Sequence, residues 1–280
     1  MLIASDLVAH PLEAWTRIQD TLADRRERRG PQHQYETDDH WERWLHVWLG
    51  AEWPCPLTSE FRSLWPKVIT ELQAKGIRPG PESFKYWNDG DAGLARSIWC
   101  LIRHLTPNKI VETGVGHGVT SRIILEALER NERGHLWSID LPPLERVWQK
   151  QVAIAVGERH KERWSYVKGS SRLHLPKLLS QLGEVDLFIH DSLHSERNVR
   201  FELDRVWAAL RPGGALVVDD VDANRGFQSF TQTFSGYRSM ICEAEPLHPD
   251  LRRTNQKGMF GIILKDTTAQ VEHRTDQRRL

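Results

Sequence analysis

From Asp91 onward the apolar positions alternate between helical and strand-like spacing. Leu94 to His104 is amphipathic at helical period and leads into KIVET, where Ile110 and Val111 are β-branched and apolar. RIILEALER, Arg122 to Arg130, returns to helical spacing, and Leu136 to Ile139 is a short apolar run closed by Asp140. The pattern then predicts a helix over Leu144 to His160, a strand over Trp164 to Val167 and a helix over Leu173 to Leu182. Val185 to His190 reads as a strand, Glu196 to Leu210 as a helix stopped by Arg211-Pro212-Gly213-Gly214, and Ala215 to Val218 as a strand. Helices between successive strands force parallel neighbours through right-handed crossovers. Ser239 to Ala244 and Met259 to Lys265 read as two more strands with no helix between them, hence an antiparallel pair at the sheet edge. The expectation is an α/β fold: a doubly wound, mostly parallel sheet of seven strands.

The first 88 residues follow another rhythm. Seven of the twelve tryptophans lie before residue 90: Trp15, Trp41, Trp44, Trp48, Trp53, Trp65 and Trp87. Trp41, Trp44, Leu45, Trp48 and Leu49 fall on one helical face, with Asp38 or Asp39 as the expected N-cap. A second helix is expected over Glu60 to Ala74, ended by Gly76 and Pro79–Gly80. Such an aromatic stripe marks buried surface, packed on the following domain or on a second subunit; a lid over substrate is compatible with it. Residues 1–88 are therefore read as a helical, tryptophan-rich cap, 89–268 as the ligand-binding catalytic domain and 269–280 as a polar tail. His33, Asp38, Asp39 and His40 lack ligand spacing and read as a solvated loop.

Composition narrows the partners. Lys plus Arg and Asp plus Glu both number 38, so no basic excess speaks for nucleic acid. The basic runs Arg25 to Arg29 and Arg278–Arg279 read as solvated ends. Cys55, Cys100 and Cys242 are too few and too scattered for a disulfide framework or a zinc site. No apolar run approaches the roughly 18 residues of a membrane span, and MLIASDLVAHPLEAW lacks the basic flank and apolar core of a secretory leader. The expectation is a cytoplasmic protein with a small-molecule substrate, no membrane, and a homodimer or higher homo-oligomer formed through the cap.

The candidate chemistry gathers at strand ends. In KIVETGVGHGVTS, Gly114, Gly116 and Gly118 stand where strand turns to helix, two residues after Glu112 and ahead of Ser121. The dinucleotide fingerprint G-x-G-x-x-G would need glycine where Val119 stands. Asp140, 22 residues beyond Gly118, can accept both hydroxyls of a ribose. Asp191 and the pair Asp219–Asp220 end two further strands; if those strands are neighbours, the carboxylates converge, a set of hard oxygens suited to Mg²⁺. Alternatively Asp219 or Asp220 caps a loop and Asp191 binds a ligand amine. His194, three residues after Asp191, is placed to take a proton from a metal-acidified hydroxyl, whereas His190 reads as a core histidine.

The glycine motif resembles motif I of class I S-adenosylmethionine-dependent methyltransferases. With Val185 to Asp220 it is similar to their metal-dependent small-molecule O-methyltransferases, the branch of catechol, caffeoyl-coenzyme A and macrolide-sugar enzymes. The resemblance spans about residues 90 to 265. It implies that Glu112, Gly114, Gly116, Gly118, Ser121, Asp140 and Asp191 hold S-adenosylmethionine, and that Gly169, Ser170 and Ser171 meet its adenine. It further implies Mg²⁺ on Asp191, Asp219 and Asp220, with catalysis by His194 and Asp191. Catechol-type enzymes carry lysine where this chain has His194, as the sugar-modifying relatives do, which points away from catechol itself. Two other readings stand beside it: an NAD(P)-dependent oxidoreductase, and a non-catalytic scaffold with a vestigial nucleotide site.

Overall fold

The computed structural model describes residues 11–27, 35–84, 90–247 and 258–266. Trp87, His33 and the 269–280 tail lie outside them. In chain order the elements are helices α1 (Pro11–Glu27), α2 (Trp41–Trp48), α3 (Pro56–Ala74) and α4 (Ala92–Leu105), then β1 (Lys109–Thr113), α5 (Val119–Arg130), β2 (His135–Asp140) and the single turn α6 (Arg146–Gln149). There follow β3 (Trp164–Lys168), α7 (Ser171–Leu182), β4 (Val185–His190), α8 (Glu196–Ala209), β5 (Leu210–Val218), α9 (Gly226–Thr233), β6 (Arg238–Glu243) and β7 (Met259–Lys265).

The strands form one sheet in the order β3-β2-β1-β4-β5-β7-β6. β1 runs parallel to β2 and β4, and β7 runs antiparallel between β5 and β6. Strand residues alternate between the two faces, which the core records directly. Ile110, Leu187, Ala215 and Val217 pack with α4 and α5, whereas Val111, Phe188, Leu216 and Val218 pack with α7, α8 and α9. Continuous apolar runs in the central strands thus supply both layers of a doubly wound sheet. No helix among the described residues is long and apolar enough to cross a membrane.

Trp41 and Leu45 of α2 and Phe61, Leu64 and Val68 of α3 belong to the same core as α4 and α5. Trp41 meets Phe260 of β7 edge to face at 5.5 Å, and the buried Arg96 of α4 joins Glu42 of α2 to Glu245 after β6. The expected aromatic stripe is only partly buried. Trp44 is 42% exposed, and His46 takes a buried place on the helix instead. The N-cap position is His40; Asp38 accepts its backbone N–H at 2.9 Å.

Two further segments depart from the periodicity. Leu144 to His160 forms one helical turn, α6, then irregular backbone and a 3-10 turn at Glu158–Arg163. Its amides serve another element: Ala153 N–H donates to the Gly116 carbonyl and Ala155 N–H to that of His117, both at 2.9 Å. Its apolar spacing therefore buttresses the glycine turn and does not build a helix of its own. β5 begins at Leu210, ahead of the expected Ala215, because Arg211-Pro212-Gly213-Gly214 is taken up as an irregularity in the ladder: Val185 pairs with Leu210, but Leu187 pairs with Ala215. Gly214 permits it, since a Cβ there would stand 2.7 Å from the Asp186 carbonyl oxygen.

Candidate functional site

The chain moves from β1 outward to β2 and β3, then returns to the other side of β1 with β4 and β5. Strand order reverses between β1 and β4, and open α/β sheets bind ligands beyond the carboxyl ends at such a point. A cavity of about 250 Å³ lies there, bordered by Gly114, Gly116, Asp140, Ser170, Asp191 and Ser192.

The glycines divide the work. Gly114, at φ +85°, lets the chain after β4 approach closely, because a Cβ would stand 1.9 Å from the Asp191 carbonyl oxygen. A Cβ on Gly116 would meet nothing within 4 Å, so this bare backbone faces open space. Gly118, by contrast, packs against Ala153.

Glu112 is fully buried in β1 and lies beneath the turn. One carboxylate oxygen accepts from the Ser121 hydroxyl at 2.6 Å and the Ser138 hydroxyl at 2.7 Å; the other has no hydrogen-bond partner among the described residues. Burial, only partly offset by those hydroxyls, pushes its pKa up to about 8, helped by the charges of Asp191 and Asp140. Ser121 is likewise fully buried and directed at Glu112. Asp140, at the end of β2, accepts from Val115 N–H at 3.1 Å, which fixes its carboxylate beside the glycine turn.

At Gly169-Ser170-Ser171 a residue from far away intervenes. Glu13 of α1 accepts the Ser170 backbone N–H at 3.0 Å and contacts His174 at 3.0 Å. Arg17 of the same helix donates to the Pro142 carbonyl at 2.8 Å. It stands between the first cavity and a second of about 270 Å³ beside Gly169. Burial lowers the Arg17 pKa, against the charges of Glu13, Asp140 and Glu145. α1 thus covers the cleft with its polar face, whereas Leu12, Trp15, Ile18 and Leu22 face outward.

The acids after β4 and β5 meet because those strands are paired, His190 opposite Val218, and Asp219 N–H donates to the His190 carbonyl at 2.9 Å. Side-chain ligand atoms of Asp191, His194 and Asp219 lie within 4.8 Å of one another. Asp220, in the left-handed region at φ +47°, reaches the other side of the imidazole: its carboxylate lies 3.1 Å from His194 Nδ1, while Nε2 lies 4.0 Å from Asp191. Burial, then the charges of Asp220 and Asp191, raises the Asp219 pKa well above the ordinary carboxylate range. The geometry therefore groups His194 with Asp191 and Asp219, and sets Asp220 behind the ring.

His190 is a core histidine, its Nδ1 2.6 Å from Glu202 of α8 and its buried Nε2 without a hydrogen-bond partner among the described residues. Burial alone would raise Glu202, but the charge and hydrogen bond of His190, with Ser171 and Thr113, hold it down at about 2. Glu202 also accepts from Ser192 and Asn198, which fastens the loop that carries Asp191 and His194. Sequence reasoning missed this residue. The signal was a polar pair, Asn198 and Glu202, four apart on the same helix face as Val199, Leu203 and Val206. It missed α1 too, although Pro11, Glu13 in the first turn and Arg25 and Arg26 in the last are ordinary helix signals.

Residues 111–221 match the family model described as a methyltransferase domain. Over this stretch the chain is similar to a methyltransferase domain. The stretch runs from β1 to just past Asp220 and so contains the glycine turn and all the strand-end acids. Among solved structures, an O-methyltransferase from Bacillus cereus in complex with SAH is 12% identical, with 72% of this chain and 91% of that one covered at a TM-score of 0.51. Cofactor-bound Rv0187 from MTB is 14% identical, with 83% and 99% covered at a TM-score of 0.50. At such identities the likeness is one of fold, the Rossmann-like methyltransferase sheet. No curated protein matches the chain.

Proposed function

We propose that this protein transfers the methyl group of S-adenosylmethionine to an oxygen of a small molecule, a phenol, sugar or related natural product, with a divalent cation, Mg²⁺, at the acidic cluster. The observation that carries the reading is the grouping of Asp191, which borders the glycine-turn cleft, with His194 and Asp219, and with Asp220 on the far side of the imidazole. The B. cereus relative, bound to SAH, supports the choice of cofactor.

The residues fit both groups. Open space over Gly116 and the anchored Asp140 carboxylate suit the methionine and ribose ends of the cofactor, and two carboxylates suit a hard cation. When bound, the cofactor supplies an electrophilic methyl and the cation polarises a substrate hydroxyl. The protein's own residues do the rest. Asp220 accepts from His194 Nδ1–H and so leaves the Nε2 lone pair to take the hydroxyl proton, then stabilises the imidazolium that results. Asp191 and Asp219 would hold the cation, and Glu202 keeps the loop in register beneath them. α1, through Glu13 and Arg17, screens the cleft from water.

The test uses methyl-labelled S-adenosylmethionine and Mg²⁺ with a panel of vicinal-oxygen phenols and sugars. On the acceptor that labels, His194→Gln is expected to lower kcat by roughly 10²–10⁴-fold with cofactor affinity retained. Full turnover in both His194→Gln and Asp191→Asn would refute the mechanism.

A further inference from the structure

A second group of ligating side chains lies away from the cleft. His46 of α2, Cys55 in the turn before α3 and His104 in the last turn of α4 bring their ligand atoms within 4.8 Å of one another. The sequence positions 46, 55 and 104 hide the set, and the expectation from sequence was that no zinc site exists; the packing of three helices assembles it.

Each member is suited to a metal. His46 is fully buried. Its Nδ1 lies 2.6 Å from the Glu42 carbonyl, to which it donates as Nδ1–H, and this leaves Nε2 as the nitrogen with a lone pair. That buried Nε2 has no hydrogen-bond partner among the described residues. A carbonyl holding one ring nitrogen so that the other can ligate is the usual support of a metal-bound histidine. Cys55 is a buried free thiol, with its sulfur 3.3 Å from His104 Nε2. Zn–N near 2.1 Å and Zn–S near 2.3 Å in a tetrahedron set nitrogen and sulfur about 3.5 Å apart. The two imidazoles stand almost perpendicular, at 87° with centroids 5.2 Å apart, so they approach from different directions. The other cluster outside the cleft, Glu126, Glu129 and His160, is unlike this one, because Arg122, Arg130 and Arg159 already neutralise Glu126.

We propose that His46, Cys55 and His104 bind one zinc-class divalent cation, with a solvent molecule as fourth ligand. Thiolate and imidazole donors suit Zn²⁺ and disfavour Mg²⁺. Binding exchanges the thiol proton for the metal: Cys–SH and Zn²⁺ give Cys–S⁻–Zn²⁺ and one proton released to solvent. The ion ties α2 and the start of α3 to the end of α4, which feeds β1 and the glycine turn. It is a structural clasp, independent of the proposed methyl transfer.

The test is to strip the full-length protein with chelator under reducing conditions and titrate it with Co²⁺, then displace the Co²⁺ with Zn²⁺. Only a site containing sulfur gives a thiolate-to-Co²⁺ charge-transfer band, so the carboxylate cluster of the cleft does not contribute. The expected result is one equivalent of thiolate-bound Co²⁺, released by Zn²⁺. Cys55→Ser is expected to abolish the band, and His104→Gln to weaken zinc binding roughly 100-fold, with circular dichroism showing both variants folded. Absence of the band in folded wild-type protein at saturating Co²⁺ would overturn the proposal. So would its persistence in Cys55→Ser; if that variant does not fold, undiminished zinc affinity in His104→Gln has the same force.

Discussion

Glu112→Gln isolates the cost of the buried carboxyl beneath the glycine turn. The carboxyl is fully buried, and its pKa of about 8 lies above the ordinary 4.5. The folded state therefore holds a proton that the unfolded chain gives up between these values. The group's stabilisation is fully present below pH 4.5 and is lost as pH rises through about 8. At about 1.36 kcal/mol per pH unit the full loss comes to about 5 kcal/mol, with about 3 kcal/mol of it reached by pH 7. Glutamine keeps an oxygen to accept from Ser121 and Ser138 but cannot ionise. Urea unfolding of both proteins across this range should give coincident stabilities near pH 4.5 and a growing advantage for Glu112→Gln toward pH 8. Parallel stability curves would refute the assignment of Glu112 as a buried, proton-holding brace.

Gly114→Ala should cost at least about 3 kcal/mol and sharply weaken cofactor binding, because the new Cβ would displace the Asp191 backbone, whereas Gly116→Ala, facing open space, should cost only about 1–2 kcal/mol for its left-handed φ. Equal unfolding midpoints for the two variants would contradict this division of roles. Glu202→Gln removes the negative charge that pairs with the buried His190 and should destabilise by about 3–5 kcal/mol. Since Glu202 is held at about 2, its contribution is present above 4.5 and lost as pH falls through about 2, so denaturation curves of wild type and variant should converge on acidification. Arg17→Ala opens the partition between the two cavities and should speed release of S-adenosylmethionine several-fold in stopped-flow; unchanged release would remove α1 from the site.

What the sequence makes legible is local. The KIVETGVGHGVTS turn, the acids closing β2, β4 and β5, and the unbroken apolar runs of the central strands each announce themselves within a dozen residues. The pairing of Asp191 with Asp219 follows once β4 and β5 are neighbours, since both leave the sheet at the same level. What stayed hidden depends on contacts distant in sequence. Glu13 reaches Ser170 across 157 positions, and His104 meets Cys55 across 49. Leu144 to His160 misleads for a related reason: its apolar spacing answers to the glycine turn it supports, where Ala153 and Ala155 donate their amides. The strand-end position of Asp220 is legible in the sequence, but its left-handed backbone and the approach of its carboxylate to His194 are not.

The central claim is that the cleft at the β1–β4 crevice takes S-adenosylmethionine beside a cation. The most direct measurement is a calorimetric titration of the full-length protein with S-adenosylmethionine, in Mg²⁺ and again in chelator. One-to-one binding, with an affinity or enthalpy that differs between the two conditions, is the predicted result. Absence of binding in both conditions would contradict the account.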